Sequence, residues 1–331
     1  MKKNDNLICN IEKIIEKTYN KNVLSKLNDF SGLYKIIKSK FIDPIIVSST
    51  DGVGTKIFLA INYKKYEIIG KDCFAMCIND ILCHGATSLF FLDYIACNKI
   101  NSYIIEKIIH GITYSCKKTN TCFIGGETAE MSGLYPNNGY DIAGFCVGIV
   151  EKNCIINGKN LIKENDIIIG IPSSGVHSNG FSIIRNIFSH KDLQKSFNKK
   201  PLYESFLIPT KIYYNLIHII IKKIPIHGIA HITGGGIYQN LSRIIPKGLS
   251  AIVKKKNIPT QPIFSFIKEK GNLSDKVMWN TFNMGVGLII ISSYIYKDKV
   301  LQELISINEK PFIIGNIIKT NNKSNKKVFL E

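Results

Sequence analysis

The chain has 331 residues, 45% of them hydrophobic, and a mean hydropathy of +0.07, which is too long for one comfortable core and too apolar for a disordered segment. Its longest nearly apolar run, Val286 to Ile295, is broken by Ser292 and Ser293 and falls short of the ~20 residues of a spanning helix, so no membrane segment is expected. The formal charge of +18 raises nucleic acid as a partner, yet only Arg185 and Arg243 of 43 basic residues are arginine. Readers of base edges lean on forked guanidinium contacts, so lysines spread over solvated faces are the plainer reading and no nucleic-acid partner is expected.

Residues 9–40 read as helical but poorly patterned. Pro44 then opens a β-branched run, Ile45 to Thr50, predicted as a strand that ends at Asp51-Gly52-Val53-Gly54-Thr55-Lys56. A helix is expected over Gly70 to Cys83, a second strand over Leu89 to Ala96, and an amphipathic helix with Ile104, Ile105, Ile108, Ile109 and Ile112 on one face. Strands at Thr121 to Ile124 and Ile142 to Val150 follow. This alternation of α and β, with two late strands close in sequence, favours a mixed sheet over a purely parallel one. The polar segment Glu151 to Asn165 marks a boundary, giving expected domains of 1–155 and 156–331. The second half restarts with a strand, Ile167 to Ile171, a turn, and a helix from about Gly180. Ile226 to Ile232 reads as a strand, Gly234-Gly235-Gly236 as a turn, Ile237 to Ile245 as a helix and Val286 to Ile291 as a last strong strand. The lysine-rich stretch Lys319 to Lys327 is expected to be a loop. A polar amino terminus shows no secretory signal, and nine cysteines without a C-x-x-C pair read as reduced packing residues of a cytoplasmic protein.

The first half places many acids at strand ends or inside apolar segments: Asp51, Asp72, Asp80, Asp93, Glu127, Glu130 and Asp141. Two like charges about 4 Å apart at an effective dielectric near 20 repel by roughly 4 kcal/mol, so a cluster of them stays ionised only when cations bridge it. Hard oxygen donors beside glycine turns suit magnesium carrying a nucleoside triphosphate. Asp72 and Asn79, seven residues apart, return to within about 20° of one helix face, with Asp80 alongside. Taken singly, each acid is more simply a helix cap or a hydrogen-bonded core group. Gly52 and Gly54 let backbone amides approach an anion, and Thr55 and Lys56 add a hydroxyl and a cation, although neither a Walker loop nor G-x-G-x-x-G is present.

In the second half, Ser173-Ser174-Gly175-Val176-His177-Ser178-Asn179-Gly180 lies between a strand and a helix, where amides and hydroxyls make an anion cradle. His177 is its only titratable group; a lone loop histidine is more often a hydrogen-bonded residue than a catalyst. His231-Ile232-Thr233-Gly234-Gly235-Gly236 repeats the pattern, as a phosphate turn or as a plain tight one.

The run from Ile45 to about Ile291 resembles the phosphoribosylformylglycinamidine cyclo-ligase, or aminoimidazole ribonucleotide (AIR) synthetase, family. The resemblance rests on STDGVGTK at Ser49 to Lys56, MCINDILCHGA at Met76 to Ala86, FFLDY at Phe90 to Tyr94, GGETAEM at Gly125 to Met131 and YDIAGFCVGIVEK at Tyr140 to Lys152. SSGVHSNGFSIIR, IAHITGGGIYQNLSRIIP and TFNMGVG add to it, and both arginines fall where that family carries arginine. It implies a two-domain α/β fold with mixed sheets, an amino-terminal sheet that forms a homodimer interface, a carboxy-terminal α/β domain, and ATP with Mg2+ bound across the groove between the halves. The implied reaction is ATP-dependent closure of formylglycinamidine ribonucleotide to aminoimidazole ribonucleotide in purine biosynthesis. Carried over, Asp51, Asp80 and Glu127 look like metal ligands, and Asp51, Gly52, Gly54, Thr55, Lys56, Asp72, Asn79, Asp80, Asp93, Gly125, Gly126 and Glu127 like the nucleotide site. Substrate falls to Ser173, Ser174, Gly175, His177, Ser178, Asn179, Gly180, Arg185, His231, Thr233, Gly234, Gly235, Gly236 and Arg243. Lys56 and His177 are the catalytic candidates. Asn28 to Gly32 is all that stands for the family's longer glycine-rich segment, Thr87-Ser88 replaces Glu-Pro, Ser132 a proline and Asn280 a basic residue. The rival readings are a phosphotransferase of the selenophosphate synthetase, hydrogenase maturation or thiamine monophosphate kinase type, and an inactive module whose basic charge serves nucleic acid.

Overall fold

A computed structural model describes residues 2–27, 29–320 and 327–331. The chain divides into two compact units, one of residues 1–81 and 86–154 and the other of 82–85 and 155–331. Among the described residues, no helix is long and apolar enough to cross a membrane.

In the first unit, β1 (Pro44–Gly52), β2 (Thr87–Cys97), β3 (Cys122–Glu130) and β4 (Tyr140–Glu151) form a sheet in the order β1-β4-β2-β3. β2 and β3 run parallel while β4 pairs antiparallel with both β1 and β2, which is the mixed sheet expected. The parallel pair needs a crossover, and helix α4 (Ser102–Lys118) supplies it. α4 starts where the Asn101 side chain accepts the Ile104 N–H, and it buries the predicted isoleucine stripe. Helix α3 (Tyr66–Leu82) is buried along most of its length and crosses α4 at two glycines. A short helix, α2 (Lys56–Asn62), follows β1.

The helical expectation over residues 9–40 is corrected. Helix α1 (Lys2–Ile15) ends in a 3-10 turn at Glu16–Thr18, and the described residues beyond it to residue 40 hold an isolated bridge between Val23 and Tyr34 and a second 3-10 turn at Lys38–Lys40 in place of a continued helix. The Asn20 side chain accepts the Asn22 N–H, a local turn that competes with helix, and the Thr18 hydroxyl accepts the Phe123 N–H and so fastens the helix end to β3. Asn28, and residues 321–326 of the expected loop at Lys319 to Lys327, lie outside the described residues.

The second unit holds β5 (Ile167–Pro172), a small hairpin of β6 (Ser196–Phe197) and β7 (Lys200–Pro201), then β8 (Gly228–His231), β9 (Leu249–Val253), β10 (Val286–Ser292), β11 (Phe312–Lys319) and β12 (Val328–Leu330). Its main sheet has the order β12-β9-β11-β5-β10-β8. Two cores cover its faces. Ile167, Ile169, Ile171, Leu288 and Ile290 pack with helices 214–220 and 297–306, while Ile168, Ile289, Ile291 and Ile314 pack with helix 236–242. Burial on both faces is why β5 and β10 read as unbroken apolar runs rather than alternating ones.

Candidate active site

One row across the first sheet brings several of the candidate residues together. Asp51 pairs with Gly144, Gly144 with Asp93, and Asp93 with Gly126, so the row reads acid, glycine, acid, glycine. The glycines are what make room. A Cβ at Gly126 would lie 1.8 Å from Asp93 Oδ1, and one at Gly144 would strike Phe91 and Cys73. Two residues before Asp51, on the same face, the Ser49 hydroxyl donates to Asp80 Oδ2 of α3 at 3.4 Å. Asp51 and Asp80 therefore converge on one region, and both contribute to pushing up the Cys77 thiol, after burial itself and Cys146.

The turn after β1 is held from within. The Gly52 N–H donates to Asp51 Oδ1 at 2.8 Å, Gly54 takes φ +63°, and Thr55 precedes the first residue of α2. That residue, Lys56, has no exposed surface and meets the equally buried Asp72 at 2.8 Å. Burial pulls the Lys56 amine down, and the Asp72 charge and hydrogen bond pull it back. Asn79 is fully buried on α3.

Beside this row lies a cavity of about 290 Å³ roofed by Leu7, Ile8, Ile11 and Ile15 of α1, with Asp93, Gly126, Glu127 and Thr128 in its lining. Burial raises the Asp93 carboxyl to about 8; its own backbone N–H offsets part of that, and Glu127 adds to it. Asp93 Oδ2 has no hydrogen-bond partner among the described residues. Glu127 pairs opposite Tyr94, one step beyond the acid row, and both are exposed.

In the second unit, the Ser173 to Gly180 loop is stitched to its surroundings. The Ser173 hydroxyl donates to Asn283 Oδ1, the Ser174 hydroxyl to Pro209 O, and Ser178 shares a bond with Thr210. The Asn283 amide donates to the carbonyls of Gly175 and Val176. His177 is 1% exposed at φ +62°, and its Nε2 accepts the Ser174 N–H at 3.1 Å. A ring nitrogen that accepts carries no proton there, so Nε2 is committed to the loop. The Thr233 to Gly236 turn lies alongside, since a Cβ at Gly234 would sit 3.1 Å from Asn179 Oδ1. Asn240 donates to the carbonyls of Gly234 and Gly236 and fixes that turn. Gly180 and Gly236 both have positive φ, and their missing Cβ atoms make way for Phe282 and the Trp279 carbonyl. His231 is buried at the end of β8, and Arg185 lies in the helix that follows Gly180. Arg243 caps helix 236–242. Asn283 and Gln261, whose amide donates to Ser173 O, were not named from sequence, although Asn283 lies within the TFNMGVG motif.

Among the described residues no group of three or more His, Cys, Asp and Glu side chains is placed to hold a metal. Asp51, Asp80 and Glu127 are thus not gathered into a resident metal cage within one chain. Their chemistry fits a different role, because magnesium takes one or two carboxylates and completes its shell with water and substrate phosphates.

The chain matches AIR synthase related protein, N-terminal domain, over residues 41–150, and AIR synthase related protein, C-terminal domain, over 163–326. It is 46% identical to the phosphoribosylformylglycinamidine cyclo-ligase of Clostridium tetani (strain Massachusetts / E88), over 93% of this chain and 92% of that one. The cyclo-ligase of Clostridium perfringens (strain 13 / Type A) is also 46% identical, over 93% and 91%. Among solved structures, hydrogenase maturation protein HypE in complex with ATP superposes with a TM-score of 0.72 at 13% identity, covering 99% of this chain and 91% of that one. Thiamine-monophosphate kinase from Stenotrophomonas maltophilia K279a gives 0.69 at 14%, over 98% and 95%; both share the fold. On the two domain matches and the cyclo-ligase relatives, the chain belongs to the phosphoribosylformylglycinamidine cyclo-ligase (AIR synthetase) family.

Proposed function

We propose that the protein closes the imidazole ring of formylglycinamidine ribonucleotide at the expense of ATP, giving aminoimidazole ribonucleotide, ADP and phosphate, as a cytoplasmic homodimer. The observation that carries this reading is the acid and glycine row with its DGVGTK turn, in a chain nearly half identical to cyclo-ligases over almost its whole length.

The chemistry has a defined obstacle. The formamide oxygen of the substrate is a poor leaving group, so it first attacks the γ-phosphorus and ADP departs. The ribosyl-bearing nitrogen then forms its bond to the activated carbon, the C–O bond breaks with its electron pair going to phosphate, and the nitrogen loses its proton as the ring becomes aromatic. Mg2+ bound with the triphosphate would neutralise charge on the transferred group. Asp51 and Asp80 are the carboxylates that would hold it. With the Gly52 N–H taken by Asp51 Oδ1, the amides of the Gly54 turn are the ones left to meet the phosphates, and the buried Lys56 and Asp72 pair sets the turn from behind. In the second unit, the Ser173 to Gly180 and Thr233 to Gly236 loops offer backbone amides to the substrate phosphate, with Arg185 and Arg243 as neighbouring cations. His177 keeps the first of these loops in shape through Nε2.

The test is direct. Purified protein is incubated with formylglycinamidine ribonucleotide and ATP, and aminoimidazole is measured by diazo coupling alongside released phosphate. Ring product is expected, and Asp80→Asn should lower turnover by ~100-fold or more with the circular dichroism spectrum unchanged. Phosphate release without aminoimidazole would assign a different acceptor.

A further inference from the structure

We propose that the cavity beneath α1 takes the base of the nucleotide and that Asp93 reads the amino edge of adenine, making Asp93 the residue that separates ATP from GTP. This rests on the nucleotide reading above and adds to it a location and a specificity.

Size and lining come first. At about 290 Å³ the cavity has room for a flat ring rather than a whole nucleotide, and most of its wall is the aliphatic surface of Leu7, Ile8, Ile11, Ile15, Ile100 and Ile109, the setting that binds heteroaromatic rings with a few polar groups to orient them. Position comes second. Asp93 and Asp51 lie in one row with a single strand between them, which at about 4.8 Å per strand separates them by about 10 Å. That is the span of a nucleoside, so a base at Asp93 leaves the phosphates at Asp51 and Asp80.

The polar group in the cavity comes third. Asp93 is 6% exposed and its Oδ2 lacks a partner among the described residues. A buried acceptor left unmatched lowers stability, and it is held in place by a glycine opposite, Gly126, whose Cβ would displace the carboxyl. A ligand edge that donates would satisfy it. Adenine offers N6–H2 beside a ring nitrogen, whereas guanine offers O6 at the same place. Ionised or protonated, the carboxyl keeps an oxygen able to accept from N6–H2, and the protonated form can also donate to the ring nitrogen. Facing O6, the ionised carboxylate meets an acceptor, so the preference for adenine belongs to the ionised form.

The experiment compares kcat/KM for ATP, GTP and ITP in the ring-closing assay above pH 8, where the Asp93 carboxylate is ionised. The unaltered protein should prefer ATP over both oxo-purines by ~100-fold or more, as buried hydrogen-bonding sites do. Asp93→Asn, whose amide can turn its N–H toward O6, should narrow the ATP to GTP ratio by ~10-fold or more. Ile11→Trp, which fills the cavity from α1, should raise KM for ATP while leaving KM for the ribonucleotide substrate unchanged. Equal use of ATP and ITP by the unaltered protein overturns the proposal, a result that stands even when neither variant folds. A parental ratio in a folded Asp93→Asn overturns it as well. Both leave ring closure intact, whereas the absence of ring closure with every nucleotide counts against the functional reading itself.

Discussion

Lys56 and Asp72 sit wholly out of water 2.8 Å apart, a placement in which the pair is tolerable and either member alone is not. Taking two charges from water costs several kcal/mol each, and their attraction repays it only while both are present. Lys56→Met should therefore destabilise the protein by about 3–5 kcal/mol, because it leaves the Asp72 carboxylate buried and uncompensated. The double variant Lys56→Met/Asp72→Leu should lose clearly less than the two single variants combined. Urea titrations of the four proteins measure this, and additive losses would mean that the two groups act independently. The pair joins the first residue of α2 to the helix that carries Asp80, so the single variants should lose turnover too. The acids of this site were legible because carboxylates inside apolar segments demand an explanation. Their pairing was not, since a lysine after a glycine turn reads equally well as a solvent-facing phosphate ligand. His177 shows the same limit: its place in the loop was visible, but not the backbone N–H that occupies Nε2.

Helices α3 and α4 touch through two glycines. A Cβ on Gly70 would come within 2.0 Å of the Ile108 carbonyl oxygen, and one on Gly111 within 2.0 Å of the Glu67 carbonyl oxygen. These approaches are reciprocal and backbone to backbone, so no side chain can rotate to relieve them. Gly70→Ala and Gly111→Ala should each cost about 1–3 kcal/mol by forcing the helices apart, despite the better helix propensity of alanine. Thermal unfolding of both variants is the measurement, and a stabilised variant would show that propensity outweighs the contact. α3 also carries Asp72, Asn79 and Asp80, so the displacement should appear as weaker ATP binding before any loss of secondary structure. The α4 stripe and the runs of β5 and β10 were legible because a buried face writes a period into the sequence. The end of α1 was not, since it is set by Thr18 bonding to Phe123, far along the chain. Nor was the room made for Asp93 by Gly126, because a glycine in a strand names no partner.

At the scale of the whole molecule, the first sheet is covered unequally. Helices α3 and α4 bury one face, carrying Phe91, Ile95 and Cys146, while the opposite face leaves Ile46, Tyr94 and Phe145 exposed. Phe145 lies between Thr50 and Leu92 across β1, β4 and β2, at the middle of that face rather than at an edge. Apolar side chains exposed on an uncovered sheet face suit contact with another protein, and a second copy meeting it about a two-fold axis would bury the same patch on both sides. Sedimentation equilibrium should then give a mass near twice the 37.2 kDa of one chain. Phe145→Lys should bring that mass down to one chain, since each two-fold contact would bury two lysines without partners. Glu127 shares the exposed face with Tyr94, so a separated chain should also lose turnover while keeping its circular dichroism. A single-chain mass for the unaltered protein at micromolar concentration would remove the second copy as the cover for this face, and a fully active Phe145→Lys monomer would show that the acid row works without it.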